Sequence, residues 1–152
     1  MKRLSWLESL TSETPVLTAE QTRALERSIL DSGTPLEELI SRAGANVSRE
    51  TLRSRPAVSR VLTIVGVGNN GRDALEAAVR LRQHGKRIMV AILSGAGRRG
   101  AALPMEQLDV AERVVDASSE EGLRRIEQFR PDVVIDGVYG IGFRSPLPDV
   151  AA

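Results

Sequence analysis

The apolar residues of this chain follow a helical spacing in its first third and form short continuous runs after that. Thr18 and Gln21 make a capping box in front of apolar residues at helical spacing, which predicts a helix over residues 18–32. Thr34, followed at once by a proline, predicts the start of a second helix that continues to about residue 52. Gly44 lies in the middle of this second helix, where a small residue lets another backbone approach closely.

Short apolar runs alternate with helical stretches in the rest of the chain. Strands are predicted at residues 61–65, 88–93, 114–115 and 132–136, and helices at residues 73–83, 104–111 and 118–130. This alternation is typical of a parallel sheet with helices on both faces. Residues 133–135 are expected to be buried on both faces of the sheet, and Leu123, Ile126 and Phe129 to face it. Four strands are few for an open α/β sheet, so we expect a fold that is short at its C-terminal end.

Composition and charge narrow the function classes. The chain has 152 residues, of which 41% are hydrophobic, enough for one domain with its own core. A net charge of +1 gives no strong attraction to nucleic acid or to an anionic membrane, and no apolar stretch in the sequence has the length of a membrane span. The sequence has no cysteine and one histidine, which excludes disulfides, thiolate metal sites and multi-histidine centres. We predict a cytoplasmic protein with a lead-in at residues 1–15 and one domain at residues 16–152.

Two predicted loops combine glycines with polar side chains at the carboxyl ends of strands, where open α/β sheets bind ligands. They span residues 66–73, after the first strand, and residues 136–146, after the last. Gly66, Gly68 and Gly71 in the first loop fit the dinucleotide fingerprint, which makes an NAD-dependent dehydrogenase one alternative. That class usually has an acidic residue at the end of the second strand, whereas this chain ends that strand with Ile-Leu-Ser, which argues against it.

The polar side chains of the two loops have two interpretations. Asn69, Asn70 and Asp73 offer ligands to a cation or to a polar molecule; alternatively, Asp73 stabilises a helix N-terminus and the asparagines adopt a tight left-handed turn. Asp136 follows an apolar strand, where its charge either binds a cation or caps nearby N–H groups. Oxygen ligands of this kind favour an alkali or alkaline-earth cation over a transition metal. The residues alone leave both interpretations open.

Taken together, the motifs resemble those of the NAD(P)H-hydrate epimerases, the YjeF N-terminal domain family. Residues 65–73, VGVGNNGRD, are similar to that family's GxGNNGGDG loop, and residues 135–143, IDGVYGIGF, are similar to its (V/I)DALFGTGL stretch. Residues 17–26 and 39–44 resemble its two opening helices, so the resemblance covers roughly residues 16–150. It implies an α/β fold, namely a Rossmann-like three-layer α/β/α sandwich with a mainly parallel sheet.

Members of this family are isomerases that interconvert the R and S epimers of NADHX and NADPHX, so that a partner, NAD(P)H-hydrate dehydratase, can restore NAD(P)H. The resemblance implies contacts to the hydrated nucleotide from residues of both loops. These residues are Asn69, Asn70, Gly71, Arg72, Asp73, Gly140, Ile141, Gly142, Phe143, Arg144, Ser145 and Pro146. The resemblance also implies a K+ ion bound by Asn70 and Asp136, and Asp136 as a candidate for proton transfer at C6.

The chain departs from the family pattern at several positions. Arg72 replaces a glycine, where a positive φ would strain the backbone and where the side chain would enter the nucleotide site or bind a phosphate. Ile141 replaces a threonine of the phosphate loop, and the family's D-I-P-S-G-L-D segment has no counterpart in this sequence. The alternative function is therefore a catalytically impaired nucleotide-binding or scaffold module of the same fold, and for a scaffold we expect a homodimer.

Overall fold

The computed structural model describes residues 16–93, 105–141 and 143. Its elements are α1 (Ala19–Asp31), α2 (Leu36–Ser54), β1 (Arg60–Val65), α3 (Asn69–Gln83), β2 (Arg87–Ile92), a 3₁₀ turn (Met105–Val110), β3 (Arg113–Asp116), α4 (Glu120–Phe129) and β4 (Val133–Gly137). The predicted elements appear in the predicted order, and the largest shift is at the start of α3. No helix within the described ranges is long and apolar enough to cross a membrane.

The chain divides into two compact units, Met1–Pro35 and Leu36–Ala152. In the first unit, α1 begins at the predicted capping box. The backbone N–H of Gln21 donates to Thr18 Oγ1 at 3.2 Å, and the backbone N–H of Thr18 donates to Gln21 Oε1 at 2.8 Å. The helix ends just before Gly33, whose φ of +96° is a conformation that glycine adopts without a steric cost.

The second unit contains a four-stranded parallel sheet in the order β3-β2-β1-β4. β1 pairs with β2 on one side and with β4 on the other, so that Val61 lies opposite both Ile88 and Val133. From β1 the chain runs through α3 to β2 and β3, and it then returns through α4 to β4 on the far side of β1. β1 and β4 therefore flank a topological switch point, the place where open α/β sheets bind ligands.

Helices cover the two faces of this sheet and complete three layers. On one face, Val61 of β1 and Leu75 of α3 belong to a buried apolar cluster. On the other face, Leu62 of β1 belongs to a second cluster, against which Ile126 and Phe129 of α4 pack. The predicted α/β fold with a parallel sheet and helices on both faces is confirmed.

β4 is the edge strand of the sheet within the described residues, and one of its faces is open. Val134 is 52% exposed, whereas Ile135 is buried. Because α4 packs on β2 and β3, it does not bury β4, and the prediction of burial on both faces is wrong at Val134. Leu123 of α4 was expected to face the sheet and is 52% exposed instead. Residues spaced by three drift about 60° around a helix at each step, so Leu123, Ile126 and Phe129 cannot all face one surface.

α2 and α3 approach each other closely at Gly44, as the small residue predicts. A Cβ added to Gly44 would lie 2.5 Å from Cγ of Glu76 and 2.9 Å from the backbone nitrogen of Ala77. Nearby, Arg80 of α3 donates to Ser41 Oγ of α2 at 2.8 Å and to Glu76 Oε1 at 3.0 Å. These contacts hold α3 in place against α2, and α3 in turn carries the first polar motif at its N-terminus.

Candidate functional site

Three glycines hold the β1–α3 turn against the end of β4. A Cβ added to Gly66 would lie 2.2 Å from the carbonyl oxygen of Val138, and one added to Gly71 would lie 2.1 Å from the carbonyl oxygen of Gly66. A Cβ at Gly137 would lie 2.5 Å from Cβ of Ala74. The backbone N–H of Gly66 also donates to the carbonyl oxygen of Gly137 at 3.2 Å. The two predicted loops therefore meet at one edge of the sheet, and packing requires these three glycines.

Gly68 differs from these glycines, because the fold has room for a side chain at this position. It is the N-cap residue of α3, its backbone is extended with φ −121°, and an added Cβ would meet nothing within 4 Å. No side chain of the described residues caps this end of α3. The first turn of α3 thus has uncapped N–H groups beside open space at the switch point, where the helix dipole favours an anion.

α3 begins at Asn69 rather than at the predicted Asp73, so most of the first motif is helical instead of a loop. The first turn of α3 contains no acidic residue, and the interpretation of Asp73 as a first-turn charge is therefore wrong. Within the described residues the only non-glycine with a positive φ is Arg130, so the left-handed turn of Asn69 and Asn70 and the strain at Arg72 do not occur. The helix starts early because Gly71 can lie directly on the Gly66 carbonyl.

Arg72 is a residue of α3, and its side chain reaches toward α2. Its Nη2 is 3.4 Å from Oε1 of Glu37 in the first turn of α2, and its side chain is 18% exposed. The pKa of Glu37 is lowered, first by the hydrogen bond from its own backbone N–H and next by the hydrogen bond from Arg72. A phosphate at the start of α3 would compete with Glu37 for this guanidinium group.

Asn70 links the two motifs directly. Its Nδ2 donates to the carbonyl oxygen of Tyr139 at 3.0 Å, and its own carbonyl oxygen would lie 2.9 Å from a Cβ added to Gly137. The Cβ of Asn70 would lie 3.3 Å from a Cβ added to Gly140, so the Asn70 side chain lies close to the Gly140 backbone. Because Nδ2 is directed to Tyr139, the amide oxygen Oδ1 is directed to the opposite side.

Asp136 is exposed at the carboxyl end of β4, opposite Ile64 of β1. Its Oδ1 accepts a hydrogen bond from the backbone N–H of Val138 at 2.9 Å, so the carboxylate caps a local N–H group. The expectation of a buried charge is wrong, because β4 is an edge strand whose outer face α4 does not bury. The hydrogen bond orients the carboxylate while leaving it accessible to a ligand.

Gly140, Ile141 and Phe143 follow β4 in a turn, where the backbone N–H of Phe143 donates to the carbonyl oxygen of Gly140 at 3.0 Å. Gly140 and Ile141 are exposed in this turn. The sequence motifs did not point to Tyr139, whose ring packs on that of Phe143 with 4.4 Å between centroids. The scarcity of aromatic residues, 3% of the chain, was the signal that would have singled it out. Gly142, Arg144, Ser145 and Pro146 lie outside the described residues.

Comparisons with known proteins show which family this chain belongs to. The family described as YjeF-related protein N-terminus matches residues 36–152. A protein of Achromobacter xylosoxidans that is named NAD(P)H-hydrate epimerase is 38% identical over 134 residues, which cover 88% of this chain and 61% of the relative. Proteins of the same name from Bordetella pertussis and Schizosaccharomyces pombe are 36% and 30% identical, over 84% and 88% of this chain and 53% and 56% of the relatives. The chain thus spans about half to three-fifths of the length of these relatives.

Among solved structures, the crystal structure of yeast ynu0 superimposes on this chain with a TM-score of 0.74. The match covers 90% of this chain and 61% of the yeast chain, at 20% sequence identity. At that identity the likeness shows a shared fold, which is the α/β fold built from the parallel sheet described above.

Proposed function

We propose that this chain, which belongs to the YjeF-related protein N-terminus family, binds NADHX or NADPHX and interconverts the R and S epimers at C6. The observation that carries the proposal is the meeting of two motifs at the β1/β4 switch point. There the Asn70 amide bonds the Tyr139 backbone at 3.0 Å, between the uncapped start of α3 and the Asp136 carboxylate. A hydrated nucleotide would use both features. Its anionic phosphates suit the start of α3, and the hydroxyl group of its hydrated ring suits the Asp136 carboxylate.

The phosphates fit the first turn of α3. Backbone N–H groups that no described side chain caps favour an anion, and the open space at Gly68 lets a phosphate approach the backbone. The turn at Gly140 and Ile141 lies against Asn70 and is exposed, so its backbone is a second candidate for phosphate contact. Asn69, the first residue of α3, and Asp73, which lies beyond its first turn, are proposed to contact the rest of the nucleotide.

A K+ ion fits the oxygen donors at this edge of the sheet. The amide oxygen of Asn70, directed away from Tyr139, and the exposed carboxylate of Asp136 are hard ligands. The described residues contain no group of three or more His, Cys, Asp or Glu side chains that could hold a metal ion, so the proposed ion depends on an amide oxygen as well as on a single carboxylate. When bound, the ion would neutralise part of the charge of the nucleotide. We propose that exchanging K+ for Na+ weakens binding of NADPHX, and calorimetry in the two salts measures this.

Epimerisation at C6 requires that the hydroxyl group leaves as water and that water returns on the opposite face. The departing hydroxyl group takes up one proton to leave as water, and the returning water releases one proton when it adds. We propose that Asp136 carries this proton, because its carboxylate is exposed and is oriented by the N–H of Val138. Asn70 would orient the ring from the other motif.

A coupled assay tests this function. R-NADHX is incubated with the chain and with a dehydratase that accepts only the S epimer, and the return of NADH absorbance is followed. We expect conversion faster than the spontaneous rate, and a loss of roughly 10²- to 10⁴-fold in Asp136→Asn. Asp116→Asn is the matched control, because Asp116 ends β3 and its Oδ1 accepts from the N–H of Ser118 at 2.8 Å in the same way.

The assay also separates the alternatives. Conversion at the spontaneous rate contradicts the proposed epimerase activity, and saturable NADPHX binding without turnover would indicate the catalytically impaired module instead. An equal loss in Asp116→Asn and Asp136→Asn would show that the local turn, not the position of Asp136, matters. The dehydratase is the proposed functional partner, and the cytoplasmic location and the homodimer stay predictions that fractionation and sedimentation can check.

A further inference from the structure

Aromatic side chains are scarce in this chain, yet two of them meet at the candidate site. The sequence has one tryptophan, one tyrosine and two phenylalanines. Phe129 packs against the core under α4, where the guanidinium of Arg87 lies 5.8 Å from its ring centroid. Tyr139 and Phe143 instead contact each other, with centroids 4.4 Å apart and ring planes at 43°. They form an aromatic pair on the turn that follows β4.

Packing of the core does not explain the position of this pair. Neither ring belongs to the two core clusters formed by the described residues, and Phe143 is 40% exposed. Burial is what makes a large apolar side chain stabilising, so the exposed part of the Phe143 ring contributes nothing to the fold. The backbone of the pair is nevertheless fixed, because Asn70 bonds the Tyr139 carbonyl oxygen and Phe143 bonds that of Gly140. The pair is therefore a preorganised aromatic surface beside the start of α3.

We propose that the exposed ring of Phe143, supported from behind by Tyr139, stacks on the adenine base of the bound nucleotide. This inference rests on the proposed function, because the site must first bind a nucleotide. Any planar base can stack on an aromatic surface. Hydration at C6 removes the planarity of the nicotinamide ring of NADHX, which leaves adenine as the flat ring of the substrate. The two residues are then specificity determinants that select adenine-bearing nucleotides over free sugar phosphates.

The single tyrosine makes this inference directly testable by NMR. With selectively labelled tyrosine and phenylalanine, ring signals come from Tyr139, Phe143 and Phe129 only. The probes are AMP, nicotinamide mononucleotide and ribose 5-phosphate, which share a phosphate and differ in the base. We expect AMP to shift the ring signals of Phe143 upfield, to shift those of the contacting Tyr139 by less, and to leave Phe129, in its core position, unchanged. Ribose 5-phosphate should shift amide signals of the first turn of α3 without moving either ring of the pair.

Substitution of the exposed ring supplies the second measurement. Phe143→Leu keeps an apolar side chain but removes the aromatic face, so AMP affinity should fall about tenfold while ribose 5-phosphate affinity stays unchanged. Phe143→Trp should retain AMP binding, because its ring offers a larger aromatic face. Val114→Ala, an exposed apolar residue on β3, is the control for loss of apolar surface alone. Unchanged Phe129 signals confirm that each variant is folded.

Each contrary result has a separate meaning. Equal weakening of AMP and ribose 5-phosphate by Phe143→Leu, or no weakening of either, overturns the stacking proposal alone. Larger ring shifts with nicotinamide mononucleotide than with AMP overturn the assignment to adenine. If none of the three probes binds the unsubstituted chain, the proposed nucleotide site fails and the stacking proposal fails with it.

Discussion

Gly68 and Gly71 belong to one motif, but the space around them differs. At Gly71 an added Cβ would lie 2.1 Å from the Gly66 carbonyl oxygen, whereas at Gly68 it would meet nothing within 4 Å. The extended backbone of Gly68 is one that any residue adopts, and serine is a better helix N-cap than glycine. The fold therefore does not require glycine at position 68, and under the proposed function its missing side chain leaves room for the ligand.

This difference predicts opposite effects on stability and binding at the N-cap of α3. Gly68→Ser should raise the free energy of unfolding by a few tenths of a kcal/mol, because its hydroxyl caps an N–H group. The same side chain should weaken NADPHX binding, because it occupies the open space. Gly71→Ala should instead destabilise the chain by about 1–3 kcal/mol. Urea unfolding and calorimetry measure both quantities; unchanged binding in Gly68→Ser would show that the ligand does not approach this residue.

Thr63 of β1 is a second residue whose chemistry conflicts with its surroundings. It is fully buried, and its Oγ1 has no hydrogen-bond partner among the described residues. An unsatisfied buried hydroxyl costs about 1–3 kcal/mol, so Thr63→Val should raise the free energy of unfolding by about 1 kcal/mol. Thr51→Val is the control, because the Thr51 hydroxyl donates to the Val47 carbonyl oxygen at 2.8 Å and should not gain stability. A loss of stability in Thr63→Val, measured in urea, would refute this explanation.

At the scale of elements, the fit of α2 against α3 depends on Gly44. A Cβ there would approach the backbone of Ala77 to 2.9 Å, so Gly44→Ala should push the helices apart and cost about 1–3 kcal/mol. Helix propensity alone would give a gain of up to about 1 kcal/mol. Asn46→Ala, at an exposed position of the same helix, supplies the control for propensity. Thermal unfolding of the two variants should shift in opposite directions, and a gain in both would mean that the helices adjust without cost.

The amino ends of β1 and β4 are joined by Asp132. Its Oδ2 accepts from the backbone N–H groups of Ser59 at 3.0 Å and Arg60 at 2.8 Å, and its Oδ1 accepts from the Arg60 guanidinium at 2.8 Å. The pKa of Asp132 lies below its ordinary value, first because of the Arg60 N–H and next because of the Ser59 N–H. The contribution of this carboxylate to stability is thus present above its unfolded pKa of about 4 and is lost as pH falls through its lower folded pKa.

Acid should therefore weaken the connection between β1 and β4. The urea midpoint of Asp132→Asn should lie well below that of the unsubstituted chain at pH 7, and the difference should shrink as the pH falls through the lowered folded pKa of Asp132. Asp109→Asn, an exposed carboxylate on the 3₁₀ turn, is the control. A difference between Asp132→Asn and the unsubstituted chain that stays constant with pH would show that the carboxylate charge does not stabilise this connection.

At the scale of the whole molecule, the alternation of apolar runs and helical stretches predicts the element order and the parallel sheet, because both depend on local periodicity. Features that depend on neighbours in space were missed. The exposure of Val134 follows from the edge position of β4, and the early start of α3 follows from the contact between Gly71 and the Gly66 carbonyl. The edge position of β4 cannot be derived from residues adjacent in sequence, whereas the contact between Gly71 and Gly66 is local and was missed because the glycine-rich stretch was interpreted as a loop.

The candidate site, like the fold, could be predicted only in part. Its place was predictable, because both motifs end parallel strands, and the order β3-β2-β1-β4 brings those strand ends side by side. Its side-chain contacts were not predictable. The ion pair of Arg72 with Glu37 and the ring contact of Tyr139 with Phe143 depend on tertiary packing and on the path of a turn.

The most direct test of the central claim, a nucleotide bound at the β1/β4 switch point, is an amide chemical-shift map during titration with NADPHX. We predict saturable shifts for residues 66–73 and 137–141, and no shift at the opposite end of the same strands, at Ser59 and Asp132. Ser59 immediately precedes β1 and Asp132 immediately precedes β4, and the two are hydrogen-bonded to each other, so they report any general change in the sheet. Shifts confined to other surfaces, or none at all, would contradict the assignment of this site.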